Sequence, residues 1–271
     1  MTTFGFQLPN FTFGDGDGDG DGDGDDQLFA NVVDLVDTAE DVGFESLWVM
    51  DHFYQLPALG GGEQPMLESY TLLGALAAVT STIKLGTLVT GVTYRNPAML
   101  AKQVTTLDVI SGGRAILGIG AAWHDIEHEA MGFAFPPVRE RMDRLEEAVQ
   151  ICRLMFTEET PSFDGRYYRV HDVRNVPRPI QPGGPKIMIG GSGEKRTLKL
   201  VAQYADLCNI TGDAAGIAHK LDVLRSHCDA VGRDYSEIGK TRLASLMITS
   251  SPEETKQVRE FVAAAAGDAG L

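Results

Sequence analysis

The sequence has few cysteines and no long apolar run. Its three cysteines, Cys152, Cys208 and Cys228, are odd in number and widely spaced, so no disulfide framework or zinc-binding spacing is present. The longest apolar stretch, around Leu72 to Val79, is too short to span a bilayer, and the first residues have no signal-peptide pattern. These absences predict a cytoplasmic protein that has no membrane as a partner.

Positive charge is also scarce. The chain has 23 lysines and arginines against 38 aspartates and glutamates, and its formal net charge is −15. This balance argues against nucleic acid and anionic membranes as partners. Only eight of the basic residues are lysine. An acidic, lysine-poor surface suits high salt, where self-repulsion is screened, so the composition favours a halophilic protein.

One segment, Gly14 to Asp26, is almost pure glycine and aspartate. No Pro/Ser-rich linker divides the rest of the chain, so residues 1–271 are predicted to form one domain of the barrel type. The Gly-Asp segment is then a solvated, low-complexity loop inserted after the first strand. Calcium binding by its alternating aspartates is an alternative, although the segment lacks the regular EF-hand spacing and a closing glutamate.

Strand and helix patterns alternate along the chain. Apolar runs predict seven strands, helices with three- and four-residue apolar spacing follow them, and Phe163 to Val173 is predicted to be an inserted hairpin. Pro252 is expected to open the last helix. The predicted strands are Phe4 to Leu8, Glu45 to Met50, Ile83 to Thr90, Arg114 to Ile119, Lys186 to Ile189, Ala205 to Ile210 and Arg242 to Thr249.

Such repeated βα units predict an α/β fold of the (β/α)8 TIM-barrel type, with a parallel sheet covered by helices. The eighth unit is missing from the sequence, which stops at Leu271. The first and seventh strands are therefore expected to face a gap. An open barrel of this kind is expected to have low solubility or low stability as a monomer, unless a partner subunit covers the exposed edges.

The candidate site residues are those that directly follow the strands, because the chemistry of such barrels lies at the carboxyl ends of the strands. Asp51 and His52 follow the second strand, and Gly120 to Trp123 follow the fourth. Gly190 to Gly193 open a helix after the fifth strand, where free N–H groups and the helix dipole would bind a phosphate. An ordinary tight turn explains these glycines equally well, and the adjacent Lys195 and Arg196 favour the phosphate.

Three other interpretations are weaker. His52 alone would more often be a hydrogen-bonded structural histidine than an acid or base. The segment His124 to His128 matches H-x-x-E-H, a zinc-protease pattern, but such short motifs recur by accident and no third ligand is evident. Gly118-Ile119-Gly120 lacks the third glycine of a dinucleotide-binding fingerprint, since position 123 is Trp.

Together, the strand-end segments resemble the luciferase-like monooxygenase superfamily, and more closely its F420-dependent oxidoreductases with an Asp-His-Phe motif. The resemblance covers roughly Phe4 to Ile210 and keeps the order of the motifs. The segments that carry it are Trp48 to Tyr54, Leu85 to Thr90, Tyr94 to Pro97, Gly118 to Trp123, Glu127-His128 and Ile189 to Leu198.

The resemblance implies a role for each matching position. Asp51 and His52 would lie beside the deazaflavin ring, with His52 as the candidate for proton transfer. Leu88 and Val89, followed by Thr90, would form a non-prolyl cis peptide and a bulge behind the ring. The remaining implied cofactor contacts are Gly120, Ala121 and Trp123 in the cleft, Gly190 at the end of the fifth strand, and Gly191, Ser192 and Gly193 at the phosphate.

The expected function is hydride transfer between the C5 atom of coenzyme F420 and a small organic substrate, without a metal. An FMN-dependent monooxygenase that uses O2 and a partner reductase fits the same residues. A non-catalytic flavin-binding protein is a third alternative, because a βα unit is missing, and a zinc hydrolase is a distant fourth. A homodimer is compatible with the resemblance.

Overall fold

The computed structural model describes residues 2–13 and 26–268 of the chain. The Gly-Asp segment, for which a loop or a calcium site was considered, lies outside the described residues except for Asp26. The chain divides into two compact units, of which the first ends at Thr241 and the second begins at Arg242.

The first unit is built on a parallel sheet that begins with β1 and ends with β10. Its strands follow the order β1-β2-β3-β5-β8-β9-β10, β4 pairs with β5 beside the end of β3, and β6 and β7 form a separate antiparallel hairpin. The bounds are β1 Gly5–Gln7, β2 Ser46–Val49, β3 Lys84–Thr87, β4 Thr90–Gly91, β5 Ala115–Gly120, β6 Phe163–Asp164, β7 Arg169–Val170, β8 Lys186–Gly190, β9 Leu207–Asn209 and β10 Gly239–Thr241.

This order confirms the prediction of a curled parallel sheet of the TIM-barrel type with seven successive strands. Each consecutive strand pairs in parallel with the one before it, and β1 and β10 are the two ends of the sheet among the described residues. The predicted hairpin at Phe163 to Val173 is confirmed as well.

In the first unit, helices follow the strands and cover the outside of the sheet. In the first unit, α3 begins at Pro97, and the Asn96 side chain caps it by accepting a hydrogen bond of 2.9 Å from the N–H of Ala98. The bounds are α1 Leu28–Asp41, α2 Ser69–Val79, α3 Pro97–Ile110, α4 Asp125–Met131, α5 Val138–Thr157, α6 Thr197–Tyr204, α7 Ala214–Val231 and, in the second unit, α8 Pro252–Asp268. In the described part of the chain, no helix has the length and apolar character needed to cross a membrane.

Side chains alternate between the two faces of the sheet. Leu47, Leu85 and Leu117 point outward and pack in the large core beneath the helices. Their neighbours Trp48 and Ile116 point inward, where they pack with Met188, Leu88 and Val89. The sheet therefore has a small apolar interior of its own, which lies below the strand ends that carry the candidate site.

The prediction of the seventh strand is wrong. Residues 242–249 have no regular structure, and the strand is Gly239–Thr241 instead. Its position is set by pairing with β9, where a side chain at Gly239 would meet Leu207 Cδ2 at 2.3 Å. Local apolar character favoured the later run, but Leu246 and Ile248 are 84% and 86% exposed. Pairing with a neighbour outweighs local β-propensity in such a short strand.

A carboxylate joins α1 to the chain leading into β3. Glu40 accepts hydrogen bonds from the backbone N–H groups of Ser81, Thr82 and Ile83. Burial alone would raise the Glu40 pKa, but these hydrogen bonds outweigh it and lower the pKa to about 2. We therefore expect Glu40 to stabilise the fold in its ionised form.

We predict that Glu40→Gln lowers the free energy of unfolding by about 1–2 kcal/mol near neutral pH, because it weakens a charge-assisted set of hydrogen bonds. Since the pKa is depressed in the folded state, the difference from wild type should shrink as the pH falls from 4.5 towards about 2. Urea unfolding at several pH values measures this. Asp41→Asn, at an exposed neighbouring position, is the control, and equal effects of the two substitutions would contradict the prediction.

Candidate active site

A buried carboxylate connects the loops that follow β2 and β4. Asp51, only 3% exposed, accepts hydrogen bonds from Ser69 Oγ at 2.6 Å, the N–H of Gly91 at 3.1 Å and Arg95 Nη1 at 2.7 Å. Arg95 Nη2 lies 2.6 Å from Glu68 Oε1. The oxygens of Asp51 are thus occupied within the protein, so Asp51 holds the strand ends together beside its neighbour His52.

A second carboxylate fixes His52. Glu127 on α4 is fully buried, and its Oε2 atom lies 2.9 Å from His52 Nδ1 and 2.8 Å from the Tyr94 hydroxyl. Its Oε1 atom accepts the backbone N–H groups of Phe53 at 2.7 Å and Tyr54 at 3.0 Å. An ionised carboxylate only accepts hydrogen bonds, so Nδ1 carries a proton and donates it. No described residue forms a hydrogen bond with His52 Nε2.

The environment keeps Glu127 ionised. Burial favours its neutral form, but the hydrogen bonds from His52, the Tyr54 N–H and Tyr94 outweigh burial and lower the pKa to about 2. The Tyr94 pKa is raised by burial and by the adjacent Glu127 charge, so its hydroxyl stays protonated. A neutral tyrosine and an ionised glutamate together orient the imidazole of His52.

The peptide bond between Leu88 and Val89 is cis, as the resemblance implies. Gly86 pairs with Ile116 and Thr90 pairs with Ile119, so four residue steps on the β3–β4 side face three steps on β5. One residue is therefore extra, which is a β-bulge.

The threonines on either side of the bulge are tied into the sheet. The Thr87 and Thr90 hydroxyls lie 2.7 Å apart, Thr87 donates to the Gly118 carbonyl at 2.9 Å, and Thr90 also bonds the Tyr70 hydroxyl at 2.7 Å. The Thr90 side chain is fully buried. Its hydroxyl is therefore used within the protein, and its backbone pairs with β5 at Ile119.

The bulge brings the Val89 side chain against the ends of two other strands. A side chain at Gly120 would meet Val89 Cγ2 at 2.8 Å, and one at Gly190 would meet Val89 Cγ1 at 2.9 Å. A Cβ atom cannot approach another carbon so closely, so both positions need glycine while Val89 stays in place. Three strand ends thus converge on Val89 and leave the backbone of both glycines uncovered by side chains of their own.

The prediction that the glycines at residues 190–193 open a helix is wrong, because α6 begins at Thr197, after a turn at residues 194–196. Gly191 has a φ of +123° and donates its N–H to the Asn209 carbonyl at 3.0 Å. The Ser192 hydroxyl lies 3.2 Å from the Thr211 N–H. Arg196 instead turns to α5, where it pairs with Asp143 at 2.7 Å. The expectation that Arg196 helps to bind a phosphate is therefore not supported by its position, while Lys195 is exposed.

The loop after β5 holds Trp123 at the edge of the site. Ala122 has a φ of +60°, and Arg141 Nη1 donates to the carbonyls of Ala121, at 3.2 Å, and Ala122. Trp123 is 63% exposed, and its ring centroid lies 5.6 Å from that of His52. Arg141 therefore stabilises the turn that places the exposed indole of Trp123 beside the half-buried His52.

The H-x-x-E-H segment does not form a zinc site. Its His128 is engaged at both ring nitrogens, by Thr93 Oγ1 at 2.6 Å and the His124 carbonyl at 2.7 Å, and Glu127 faces His52. Across the described residues, no group of three or more histidines, cysteines or carboxylates is placed to hold a metal.

With this geometry in view, comparison with known proteins gives the family. The model of one family, described as luciferase-like monooxygenase, matches residues 2–268. The chain belongs to the luciferase-like monooxygenase family. Among its curated relatives is the F420-dependent glucose-6-phosphate dehydrogenase of Kineococcus radiotolerans, with 33% identity over 235 residues, or 85% of this chain and 67% of the relative. The chain spans 50% to 67% of the length of the first four curated relatives.

Solved structures agree with the luciferase-like fold. The coenzyme F420-dependent tetrahydromethanopterin reductase of Methanopyrus kandleri superposes with a TM-score of 0.75 at 22% identity, over 93% of this chain and 68% of that chain. The EDTA monooxygenase of Chelativorans sp. BNC1 superposes with a TM-score of 0.81 at 16% identity, over 96% and 68%. At these identities the likeness concerns the fold alone.

The predicted site residues fall into three neighbouring groups in this luciferase-like chain. The first is Asp51 and His52 with Trp123, and the second is Val89 with Gly120 and Gly190. The third is the turn at residues 191–193. Leu88 packs beside the interior cluster around Trp48, Ile116 and Met188.

Sequence reasoning missed the roles of Glu127, Tyr94 and Arg95. All three lie in the quoted strand-end segments, and each is a polar residue that becomes largely buried. Glu127 was quoted without a role, and the usable signal was a glutamate in the first turn of a helix that directly follows a strand end. The same glutamate is part of the H-x-x-E-H pattern, in which it would be expected to serve a metal site and not a histidine.

We predict that Glu127→Gln switches the tautomer of His52. The N–H groups of Phe53 and Tyr54 require an oxygen at the Oε1 position, so the new amide group must face His52 and donate to Nδ1. Histidine 15N NMR should then show the proton on Nε2 in the variant and on Nδ1 in wild type. Glu129→Gln, an exposed change on the same helix, should leave the His52 tautomer as it is. The same His52 tautomer in all three proteins would contradict this orientation of the Glu127 side chain.

Proposed function

We propose that this chain is an F420-dependent oxidoreductase that moves a hydride between the cofactor and a small organic substrate. The observation that carries the proposal is the His52–Glu127 pair, whose free Nε2 atom lies at the strand ends near the exposed Trp123. The curated relatives named F420-dependent glucose-6-phosphate dehydrogenase support F420 as the cofactor.

The residues of the site suit a deazaflavin with a phosphate tail. Gly120 and Gly190 have no side chain beside Val89, and a Cβ atom at either position would collide with the Val89 side chain. In the turn before α6, the backbone N–H groups of Ser192 and Gly193 form no hydrogen bond with a described residue, which suits them to bind a phosphate. We assign the ring to Val89 and the first two glycines, and the phosphate to the turn.

The residues of this chain then have distinct tasks. F420, when bound, supplies a carbon that accepts or gives a hydride. His52 Nε2 takes the proton from a substrate hydroxyl as the hydride leaves the substrate carbon, or returns it in the reverse direction. Glu127 holds the imidazole in the required tautomer and stabilises its protonated form. Trp123 covers the edge of His52 and limits the access of water.

An FMN-dependent monooxygenase is the second candidate, because the backbone turn at Gly191 to Gly193 would hold the FMN phosphate equally well. It differs from the first candidate in needing O2 and reduced FMN. A non-catalytic flavin-binding protein is the third, and it differs in binding a cofactor without turnover. Cofactor titration followed by turnover assays separates all three.

We predict that F420 binds more tightly than FMN. We also predict that binding of the F420 phosphate depends on the glycine turn. Gly191→Ala should weaken F420 binding about tenfold, since alanine is strained at a φ of +123° and the turn would shift. Gly183→Ala, at another positive φ with no atom within 4 Å of the added carbon, is the matched control for backbone strain. Fluorescence titration gives both dissociation constants. Equal or tighter FMN binding would overturn the F420 assignment.

We also predict that His52→Ala lowers turnover with F420 roughly 10²- to 10⁴-fold, as expected for loss of a general base, with little change in melting temperature. His171→Ala, at an exposed position of the β6–β7 hairpin, serves as the control. Unchanged turnover together with a large fall in melting temperature would make His52 a structural histidine.

A further inference from the structure

We propose that His124 is a second substrate-contacting residue, which with His52 binds the oxygen of a hydroxyl or carbonyl group. The proposal rests on the proposed function and names the chemical class of the substrate: a compound oxidised at a carbon that bears a hydroxyl group, or the matching carbonyl compound. The observation behind it is that His124 is a buried histidine without a partner for its ring.

The His124 ring packs against other rings, but its nitrogens take no part in hydrogen bonds with the described residues. The residue is 7% exposed, and its backbone carbonyl accepts a 2.7 Å hydrogen bond from His128 Nδ1. None of the described residues forms a hydrogen bond with its ring nitrogens. Buried polar groups almost always have a partner, so one that lacks it in the protein is expected to find it in solvent or a ligand.

The ring nitrogens of His124 also differ in solvent exposure from the fully buried polar atoms that lack a hydrogen-bond partner. In the described part of the chain, the fully enclosed side-chain atoms without a partner are oxygens of Gln103, Asn175 and Gln203. The nitrogens of His124 are not among them, so they keep some contact with the space outside the protein. A nearly buried histidine whose nitrogens remain reachable is suited to contact a small molecule.

His124 lies next to the other free imidazole. Its ring centroid is 5.7 Å from that of His52, nearly perpendicular at 85°, and 4.8 Å from that of Trp123. His52 Nε2 also lacks a partner among the described residues. Two imidazoles at this separation can both reach one oxygen with hydrogen bonds of about 2.9 Å.

The donor and acceptor pattern selects a hydroxyl group. His52 carries its proton on Nδ1, so its Nε2 accepts, and a neutral His124 offers one N–H donor. A substrate hydroxyl donates to His52 Nε2 and accepts from the His124 N–H. On oxidation the C–H bond breaks with its electron pair passing to the deazaflavin. The O–H proton passes to His52 Nε2, and the carbonyl oxygen that forms accepts from both histidines.

The first test measures binding without turnover. Histidine 15N NMR of the full chain is recorded with 2-propanol and with 2-propanethiol, a probe of the same shape without an oxygen. We expect 2-propanol to shift the ring signals of both His52 and His124, and the thiol to leave His124 unchanged. A His124 signal that responds to neither probe, or equally to both, overturns the proposal even if F420 binds.

The second test measures the F420-linked oxidation of 2-propanol and of glucose 6-phosphate. His124→Phe keeps the ring contacts and removes the donor, so kcat/KM for the substrate that turns over should fall roughly 10- to 100-fold. His124→Gln restores an N–H group and should recover part of the loss, while His171→Phe should have no effect.

Two results of the second test overturn the role of His124. The first is full activity in His124→Phe. The second is an equal loss in the Phe and Gln variants together with a lowered melting temperature. Failure of F420 binding in wild type contradicts the proposed function instead, and the NMR test still decides the role of His124.

Discussion

The four hydrogen bonds of the Glu127 carboxylate hold the candidate site together. They come from the loop after β2, through His52, Phe53 and Tyr54, and from the loop after β4, through Tyr94. Glu127 itself lies on the helix that follows β5. One buried charge therefore joins three strand ends, and burying it without these donors would cost several kcal/mol. The position of His52 is a consequence of satisfying that charge.

Close packing beneath the strand ends is the second constraint. A side chain at Gly118 would meet the Thr87 carbonyl at 1.9 Å, and one at Gly86 would meet the Trp48 ring at 2.8 Å. The bulge after β3 needs this space, because it turns Val89 towards Gly120 and Gly190. The glycines of the sheet interior and those at the strand ends thus serve the same geometry, because each allows two strands to approach more closely than a side chain would permit.

The alternation of elements was predictable because each strand and helix has its own apolar period, and β2, β5 and β8 lie where the predicted apolar runs put them. The location of the candidate site was predictable, because the functional residues of such barrels follow the carboxyl ends of the strands. Its internal contacts were not, because Asp51 with Arg95 and Glu127 with His52 join residues 44 and 75 positions apart. The strand at Gly239–Thr241 was missed for a related reason, since its pairing with β9 is not encoded in its own three residues.

The arginines near the strand ends constrain how the proposed anionic cofactor could bind to this acidic chain. Arg95 is bound to Asp51 and Glu68, Arg196 to Asp143, and Arg141 to backbone carbonyls. Each of these guanidinium groups near the strand ends is committed to holding a loop, and moving one to a phosphate would break that loop. In the proposed function, a phosphate bound before α6 would therefore contact the backbone N–H groups of Ser192 and Gly193 rather than an arginine. Backbone N–H groups are fixed by the fold and do not titrate near neutral pH, so the proposal needs no spare positive side chain in a chain with a net charge of −15.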